Sequence, residues 1–98
     1  MGYTYILKCA DGTYYVGSTK NLSCRLEQHQ AGMGANYTRK RRPVELVYYE
    51  QYARIDVAFY REKQLQSWNR KKKEALMEGR LDDLPGLAKS HLDRLDDR

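Results

Sequence analysis

The stretch YTYILKCADGTYYVGS, residues 3–18, contains the features that decide the fold of this 98-residue chain. Its two ends are rich in tyrosine and aliphatic residues, which favour β-strands, and the Asp11-Gly12 pair between them is typical of a tight turn. The sequence therefore predicts a β-hairpin whose strands cover about residues 3–9 and 13–18.

The length of the hairpin loop decides which side chains share a face of the sheet. With a two-residue loop, Tyr5 and Tyr15 would lie on opposite faces, because successive side chains alternate along a strand. With a three-residue loop over 10–12, Tyr5 pairs with Gly17 and both phenols lie on one face. Such loops commonly place a left-handed glycine at their third position, which Gly12 fits. We therefore predict the three-residue loop, with Gly17 leaving space beside Tyr5 for a ring or a substrate.

The remaining sequence predicts one more strand and three helices. Asn21 is suited to cap the first helix and Asn69 the third, since asparagine side chains accept hydrogen bonds from helix N-termini. Gly79 is expected to end the third helix. Three strands with about three to four helices define a small α+β fold. The helices are predicted over about 21–30, 55–68 and 70–78, a loop over 32–43, and the third strand over 44–50.

The charge of the chain is unevenly distributed. The net charge is +5, with 15 Lys or Arg against 8 Asp or Glu in residues 1–80 and 3 against 5 in residues 81–98. We predict one basic folded domain over 1–80 and an acidic C-terminal tail over 81–98, which is either a short helix or a frayed end. A basic domain favours a polyanionic partner such as nucleic acid.

The composition favours a cytoplasmic protein. The sequence has no apolar run long enough to cross a membrane, and its N-terminus lacks the pattern of a secretory signal. Cys9 and Cys24 show neither metal-ligand spacing nor a C-x-x-C motif. We expect both to be reduced thiols that pack in the interior, and we expect no membrane partner and no obligate protein partner.

Five residues form the candidate catalytic group. Tyr5, Tyr15 and Arg25 are spaced ten residues apart, and a helix would present Arg25 and His29 on one face. The alternative for these two is a solvated arginine beside a packed histidine. Glu62 lies on a predicted apolar stripe, where a carboxylate needs a partner, either an arginine such as Arg25 or a divalent cation. The other members of that stripe are Ile55, Ala58, Phe59, Leu65 and Gln66.

Two runs of four basic residues stand apart from this group. Each has an aromatic residue nearby, Tyr37 for the first run and Trp68 for the second. Such runs are usually solvated faces, but the pairing of cations with aromatic rings suits phosphate contact and base stacking. The predicted nucleic-acid contacts are Tyr37, Arg39, Lys40, Arg41, Arg42, Arg70, Lys71, Lys72 and Lys73.

In their order and spacing these motifs resemble the GIY-YIG nuclease superfamily, specifically its small stand-alone bacterial members. The resemblance covers nearly all of residues 3–78. Tyr3-Thr4 departs from the usual Gly-Ile, and a late asparagine of some relatives has no clear equivalent, with Asn69 and Glu74 near its place. The matching segments are YTY at 3–5, YVG at 15–17, Arg25 with His29, GANYTR at 34–39, AFYRE at 58–62 with Leu65, and WNR at 68–70.

The resemblance implies a three-stranded antiparallel sheet surrounded by helices and a single divalent cation, Mg²⁺ or Mn²⁺, held by Glu62. It also implies in-line hydrolysis of a phosphodiester. Tyr15, or else Tyr5, would act as the general base, although a free phenol has a pKa near 10. Arg25 would stabilise the transition state by roughly 3–4 kcal/mol, and His29 would shuttle a proton or bind phosphate.

The leading hypothesis is therefore a metal-dependent endonuclease acting on nucleic acid, with DNA as the expected substrate. The first alternative is a nucleic-acid-binding module with the same fold that does not cleave. The second is a small protein-interaction domain. An isolated carboxylate in a basic cleft favours the nuclease, because without a cation it would repel phosphate. The sequence leaves open DNA against RNA, single against double strands, the oligomeric state and the pathway served.

Overall fold

The structure is a computed structural model that describes residues 1–79. The chain divides into one unit, Met1–Ser67, and a second unit that begins at Trp68. The predicted acidic tail over 81–98 lies outside the described residues, so that its boundary and its helix stay predictions. Within residues 1–79, no helix has the length and apolar character needed to cross a membrane.

The described part has three strands and four helices, and it confirms the predicted α+β class. The strands form one antiparallel sheet in the order β2-β1-β3, so that β2 is an edge strand. The second unit contributes α4 to this set. The elements are β1 (Gly2–Lys8), β2 (Tyr14–Thr19), α1 (Leu22–Gln30), α2 (Asn36–Arg39), β3 (Glu45–Tyr52), α3 (Ile55–Gln66) and α4 (Arg70–Met77).

The hairpin of β1 and β2 has the predicted three-residue loop. Tyr5 pairs with Gly17 and Leu7 with Tyr15, so that both phenols lie on the same face. The loop closes with a hydrogen bond from the amide of Gly12 to the carbonyl of Cys9 at 2.9 Å. Gly12 has a φ of 86°, the left-handed conformation that glycine adopts without steric cost.

The two faces of the sheet pack against different helices. Tyr5 and Leu7 belong to a buried cluster against which Leu22 and Leu26 of α1 pack. Thr4 points to the other face, where its hydroxyl donates to the carbonyl of Ala58 in α3 at 2.6 Å. The central strand β1 is therefore covered on both sides.

The buried face of α3 differs from the predicted apolar stripe, because it includes a charged residue. Phe59 was expected on that stripe but is 51% exposed, whereas Arg61 is 3% exposed. The Arg61 guanidinium donates to both carboxylate oxygens of Glu50, at 2.9 and 3.1 Å. Glu50 also accepts from the hydroxyls of Tyr48 and Tyr52 at 2.6 and 2.5 Å. This fully paired network allows arginine to take the buried position.

Two further predictions need correction. The predicted loop over 32–43 contains the one-turn helix α2, which is too short to show apolar periodicity in the sequence. Cys9 and Cys24 are both free thiols, as expected, but only Cys9 is buried.

The predicted caps are confirmed, because Asn21 accepts from the amide of Cys24 and Asn69 from that of Lys72.

Candidate active site

Tyr5 and His29 are joined by a buried hydrogen bond. The Tyr5 hydroxyl and His29 Nε2 are 2.9 Å apart, and the two residues are 1% and 0% exposed. His29 Nδ1 lies 2.8 Å from the hydroxyl oxygen of Thr38 in α2. The hydroxyl of Thr38 in turn reaches the carbonyl oxygen of Ala35 at 3.0 Å.

This chain of contacts fixes the position of the proton on His29. A carbonyl oxygen only accepts, so the Thr38 hydroxyl donates its hydrogen to Ala35. The Thr38 oxygen then accepts from Nδ1–H of His29, and the unprotonated Nε2 accepts from the Tyr5 hydroxyl. The direction of every hydrogen bond in this series therefore follows from the Ala35 carbonyl at its end.

The pKa values of this buried pair keep both groups neutral. Burial is the largest cause that lowers the pKa of His29 to about 4, and the charge of Arg25 acts in the same direction. Burial likewise raises the pKa of Tyr5 to about 12, although Arg25 opposes the shift by hydrogen bonding. Both ring nitrogens of His29 are therefore engaged in hydrogen bonds within the fold.

Gly17 makes the position of the Tyr5 ring possible. A Cβ at residue 17 would lie 2.5 Å from the Tyr5 hydroxyl oxygen and 3.1 Å from a ring carbon of Tyr15. Both distances are too short for an unstrained contact, so the phenol lies where any larger residue would have its side chain. The predicted role of Gly17, to leave space for a ring, is confirmed.

Tyr15 lies at the more accessible side of the same aromatic cluster. Its ring centroid is 6.5 Å from that of Tyr5, 5.4 Å from that of His29 and 6.1 Å from that of Tyr37. Burial, followed by the negative charge of Glu62, raises the pKa of the Tyr15 hydroxyl, while Arg25 opposes the shift. Both the predicted carboxylate, Glu62, and the predicted guanidinium, Arg25, therefore affect the pKa of Tyr15.

Glu62 reaches the edge strand from the opposite face of the sheet. Its two carboxylate oxygens accept from the hydroxyl of Ser18 at 2.5 Å and from the side-chain amide of Gln66 at 2.8 Å. The Glu62 side chain is 12% exposed and forms its ion pair with Lys63, at 3.8 Å, rather than with Arg25, the partner suggested by the sequence. The Arg25 guanidinium instead donates to the side-chain carbonyl of Gln28 at 3.0 Å.

The residues around Glu62 fit a weakly coordinated Mg²⁺ ion. Among residues 1–79, no group of three or more His, Cys, Asp or Glu side chains could enclose a metal. Mg²⁺ does not need such a group, since it commonly keeps several waters and binds one or two carboxylates together with phosphate oxygens. Each oxygen of Glu62 accepts one strong hydrogen bond and keeps a further lone pair. Mn²⁺ also prefers oxygen ligands.

The basic run over 39–42 is divided between structural and exposed residues. Arg41 forms an ion pair with Asp11 in the hairpin loop at 3.0 Å, and its guanidinium lies 3.9 Å from the centre of the Tyr37 ring. Arg42 donates to the carbonyls of Arg39 and Gln30. These two arginines hold the loop in place. Arg39, Lys40 and Arg42 are exposed, and of these three Arg42 is the one that the carbonyls of Arg39 and Gln30 hold.

The second basic run lies in the unit that begins at Trp68, at the start of α4. Arg70 forms an ion pair with Glu74 at 3.1 Å, and Lys72 lies 5.7 Å from the centre of the Trp68 ring. Trp68 is only 8% exposed, which disfavours the stacking suggested by the sequence. The predicted nucleic-acid contacts of residues 70–73 stay predictions.

Three residues of the site were not identified from the sequence. Thr38 lies in the unpredicted helix α2, and no sequence signal marks its partnership with His29. Ser18 and Gln66 were accessible to simple rules. Strand alternation turns Ser18 away from Gly17, and Gln66 is four residues after Glu62 on the same helix face.

Comparison with known proteins defines the class of this chain. A family model described as the GIY-YIG catalytic domain matches residues 1–75. The chain therefore belongs to the GIY-YIG family, and the resemblance identified in the sequence is confirmed. The family is one of nucleases, which act on nucleic acid.

The similar proteins are small stand-alone bacterial members of this family. A UPF0213 protein of Bacillus pumilus is 50% identical over 76 residues, 78% of each chain. A UPF0213 protein of Staphylococcus aureus strain Mu3 is 44% identical over 80% of this chain and 95% of its own. The solution NMR structure of a UPF0213 protein from Bacillus halodurans has 38% identity and a TM-score of 0.52, covering 80% of this chain and 84% of its own.

Proposed function

We propose that this protein is a metal-dependent endonuclease that hydrolyses phosphodiester bonds in nucleic acid, with DNA as the expected substrate. The observation that carries the proposal is the placement of Tyr15 and Glu62 around the free edge of β2. Glu62 is near enough for its charge to raise the pKa of the Tyr15 hydroxyl. A phosphate at this edge would meet a phenol and a carboxylate together.

Tyr15 is the proposed general base. It is only partly buried, whereas Tyr5 is 1% exposed and directed toward His29. The raised pKa of Tyr15 keeps its proton in place at neutral pH, so that the reaction should accelerate as the pH rises above neutrality. Tyr5 is proposed to orient the attacking water by accepting a hydrogen bond at its oxygen, while its own hydroxyl continues to donate to Nε2 of His29.

Arg25 is the proposed electrostatic group for the phosphate. Its guanidinium opposes the rise in the pKa of both the Tyr5 and Tyr15 hydroxyls, because its positive charge lies near both phenols. Guanidinium groups bind phosphate oxygens in a bidentate manner, and a donor of this kind is worth roughly 3–4 kcal/mol in the transition state. Its partner Gln28 is neutral, and a phosphate would be a stronger acceptor for the guanidinium.

Glu62 is the proposed ligand of Mg²⁺ or Mn²⁺, with Ser18 and Gln66 orienting its carboxylate. A bound divalent cation would neutralise charge on the leaving oxygen and would replace the negative charge beside Tyr15 with a positive one. The Ser18 hydrogen bond holds the carboxylate against the edge strand.

The proposal is tested by incubating the full chain with labelled single-stranded DNA, duplex DNA and RNA, with Mg²⁺ or with a chelator. Glu62→Ala should abolish the Mg²⁺-dependent cleavage and leave the affinity for nucleic acid equal or higher, because a repulsive carboxylate is removed. Glu27→Ala, at an exposed position of α1, is the matched control and should cleave normally.

Two outcomes would contradict parts of this assignment. Unaltered turnover of Glu62→Ala would remove Glu62 as the metal ligand. Binding without cleavage, for every substrate and both metals, would favour the alternative of a nucleic-acid-binding module that does not cleave.

A further inference from the structure

A second concave site lies on the α1 face of the sheet. It is a groove of about 560 Å³ between the sheet and the start of α1, and its walls include Tyr3, Tyr49, Leu46, Leu26 and Lys20. Its size is within the range of roughly 300–1,000 Å³ that is typical of small-molecule sites. None of these residues belongs to the catalytic group.

Two tyrosines make the groove suitable for a flat aromatic ligand. The Tyr3 and Tyr49 ring centroids are 6.2 Å apart with an interplanar angle of 56°, so the rings are tilted and do not cover each other. Tyr49 is 51% exposed. A packing role, which strand tyrosines commonly have, does not account for a ring that remains half in solvent. Any of the nucleobases can stack on such a ring, because each has an aromatic face.

The charges around the groove favour an anion. Lys20 is an exposed cation in the lining, and among residues 1–79 no carboxylate belongs to the lining. Glu50 lies next to Tyr49 in the sequence, but its side chain points to the opposite face, where Arg61 neutralises it. A phosphate beside the groove would therefore meet Lys20 without meeting a free carboxylate.

The groove is also in line with the catalytic group. Tyr3 is two residues before Tyr5 on β1, so that both side chains lie on one face, separated by roughly 6–7 Å along the strand. Because α1 covers Tyr5, a single strand held in the groove could place a neighbouring nucleotide near the more accessible phenol of Tyr15, but not on Tyr5.

We propose that this groove binds one unpaired base of a single-stranded nucleic acid, with the base stacked on Tyr49 and the adjacent phosphate paired with Lys20. The inference rests on the proposed function in taking nucleic acid as the ligand. It adds a preference for substrates with an unpaired segment, because a base held in a duplex cannot stack on a protein ring.

The test measures binding by fluorescence anisotropy in a chelator, which prevents metal-dependent cleavage. The probes are a labelled thymidine hexanucleotide, the same backbone without bases, and a duplex of equal length. Tyr49→Ala should weaken binding of the hexanucleotide about 5- to 150-fold, with no change for the abasic strand. Tyr49→Phe should bind as the wild type does.

Two more variants separate stacking from charge. Tyr60→Ala removes a tyrosine that is 80% exposed on α3 and should leave the affinity unchanged. Lys20→Ala should weaken binding of both the hexanucleotide and the abasic strand, and it should lower the salt slope by about 0.7 for the lost contact.

The inference is overturned if Tyr49→Ala binds the hexanucleotide as Tyr60→Ala does, if it weakens the abasic strand equally, or if the wild type binds no single strand. Its failure can be told from failure of the proposed function. If the protein cleaves in the presence of Mg²⁺ but Tyr49→Ala does not change binding, only the proposed base-binding role of the groove is refuted. If binding depends on Tyr49 but no substrate is cleaved, only the proposed nuclease activity is refuted.

Discussion

Replacing Thr38 with valine tests the hydrogen-bonded chain that ends at Tyr5. Thr38 is fully buried, and its hydroxyl oxygen is the partner of His29 Nδ1 at 2.8 Å. Valine has nearly the same shape but no hydroxyl. The variant therefore removes the acceptor of Nδ1–H and the donor to the carbonyl of Ala35, with little change in packing.

The expected cost follows from the burial of His29. Thr38→Val leaves Nδ1 of His29 without a partner whichever ring nitrogen holds the proton. A buried polar group without its partner costs about 1–3 kcal/mol, so we expect the free energy of unfolding to fall by that amount. Thr38→Ser is the matched control. It keeps the hydroxyl and removes one methyl group, at about 0.8 kcal/mol. Urea unfolding of the wild type and both variants measures the difference.

A second readout separates this role from general packing. In the wild type the imidazole proton lies on Nδ1, because Thr38 is the acceptor there. In Thr38→Val the proton should shift toward Nε2, where the Tyr5 oxygen can accept it, and the nitrogen resonances of the His29 ring report the change by NMR. Equal stability of the valine and serine variants, with an unchanged imidazole spectrum, would refute the assignment of the chain.

Three further predictions concern the phenol, the imidazole and the basic loop. Gly17→Ala would place its Cβ 2.5 Å from the Tyr5 hydroxyl oxygen, so that the ring must move. We expect the free energy of unfolding in urea to fall by about 1–3 kcal/mol and cleavage to be lost. Wild-type values for both would contradict the close approach. Between pH 6.5 and about 4, His29 is protonated in the unfolded chain but not in the folded protein. The free energy of unfolding should therefore decrease as the pH is lowered through this range, by about 2–3 kcal/mol at pH 4. Urea midpoints across this range should fall less steeply in His29→Asn, and equal slopes would place the effect elsewhere. Replacing the exposed Arg39 and Lys40 with alanine should lower the salt slope of binding to a labelled DNA oligonucleotide by about 0.7–0.9 for each lost phosphate contact; an unchanged slope would exclude this loop as the contact.

The register of the hairpin could be predicted because it depends on local chemistry. A glycine at the third loop position and strict alternation along two short strands leave few choices, and the pairing of Tyr5 with Gly17 follows from them. Glu62 was also identifiable, because a carboxylate among apolar helix positions needs a partner. These signals are contained within one hairpin or one helix.

The features that were missed depend on side-chain contacts between different secondary-structure elements, which no local pattern marks. Arg61 takes a buried position instead of Phe59 because Glu50 neutralises it from β3. The irregularity in the β1–β3 register between Ile6 and Leu7 likewise has no marker in the sequence. Thr38 was missed for the same reason, since its partner His29 is in another helix.

The edge position of β2 bears on the proposed function, in which groups from two faces of a sheet would act on one phosphate. Tyr5 and Tyr15 lie on the α1 face, whereas Glu62 extends from α3 on the other face and is held by Ser18. In a central strand, neighbouring strands would keep these groups apart. Because β2 is the edge strand of the sheet that residues 1–79 form, only the width of one strand separates them, and at Gly17 that strand has no side chain. The candidate active site therefore requires an edge strand with a glycine next to the serine that holds the carboxylate.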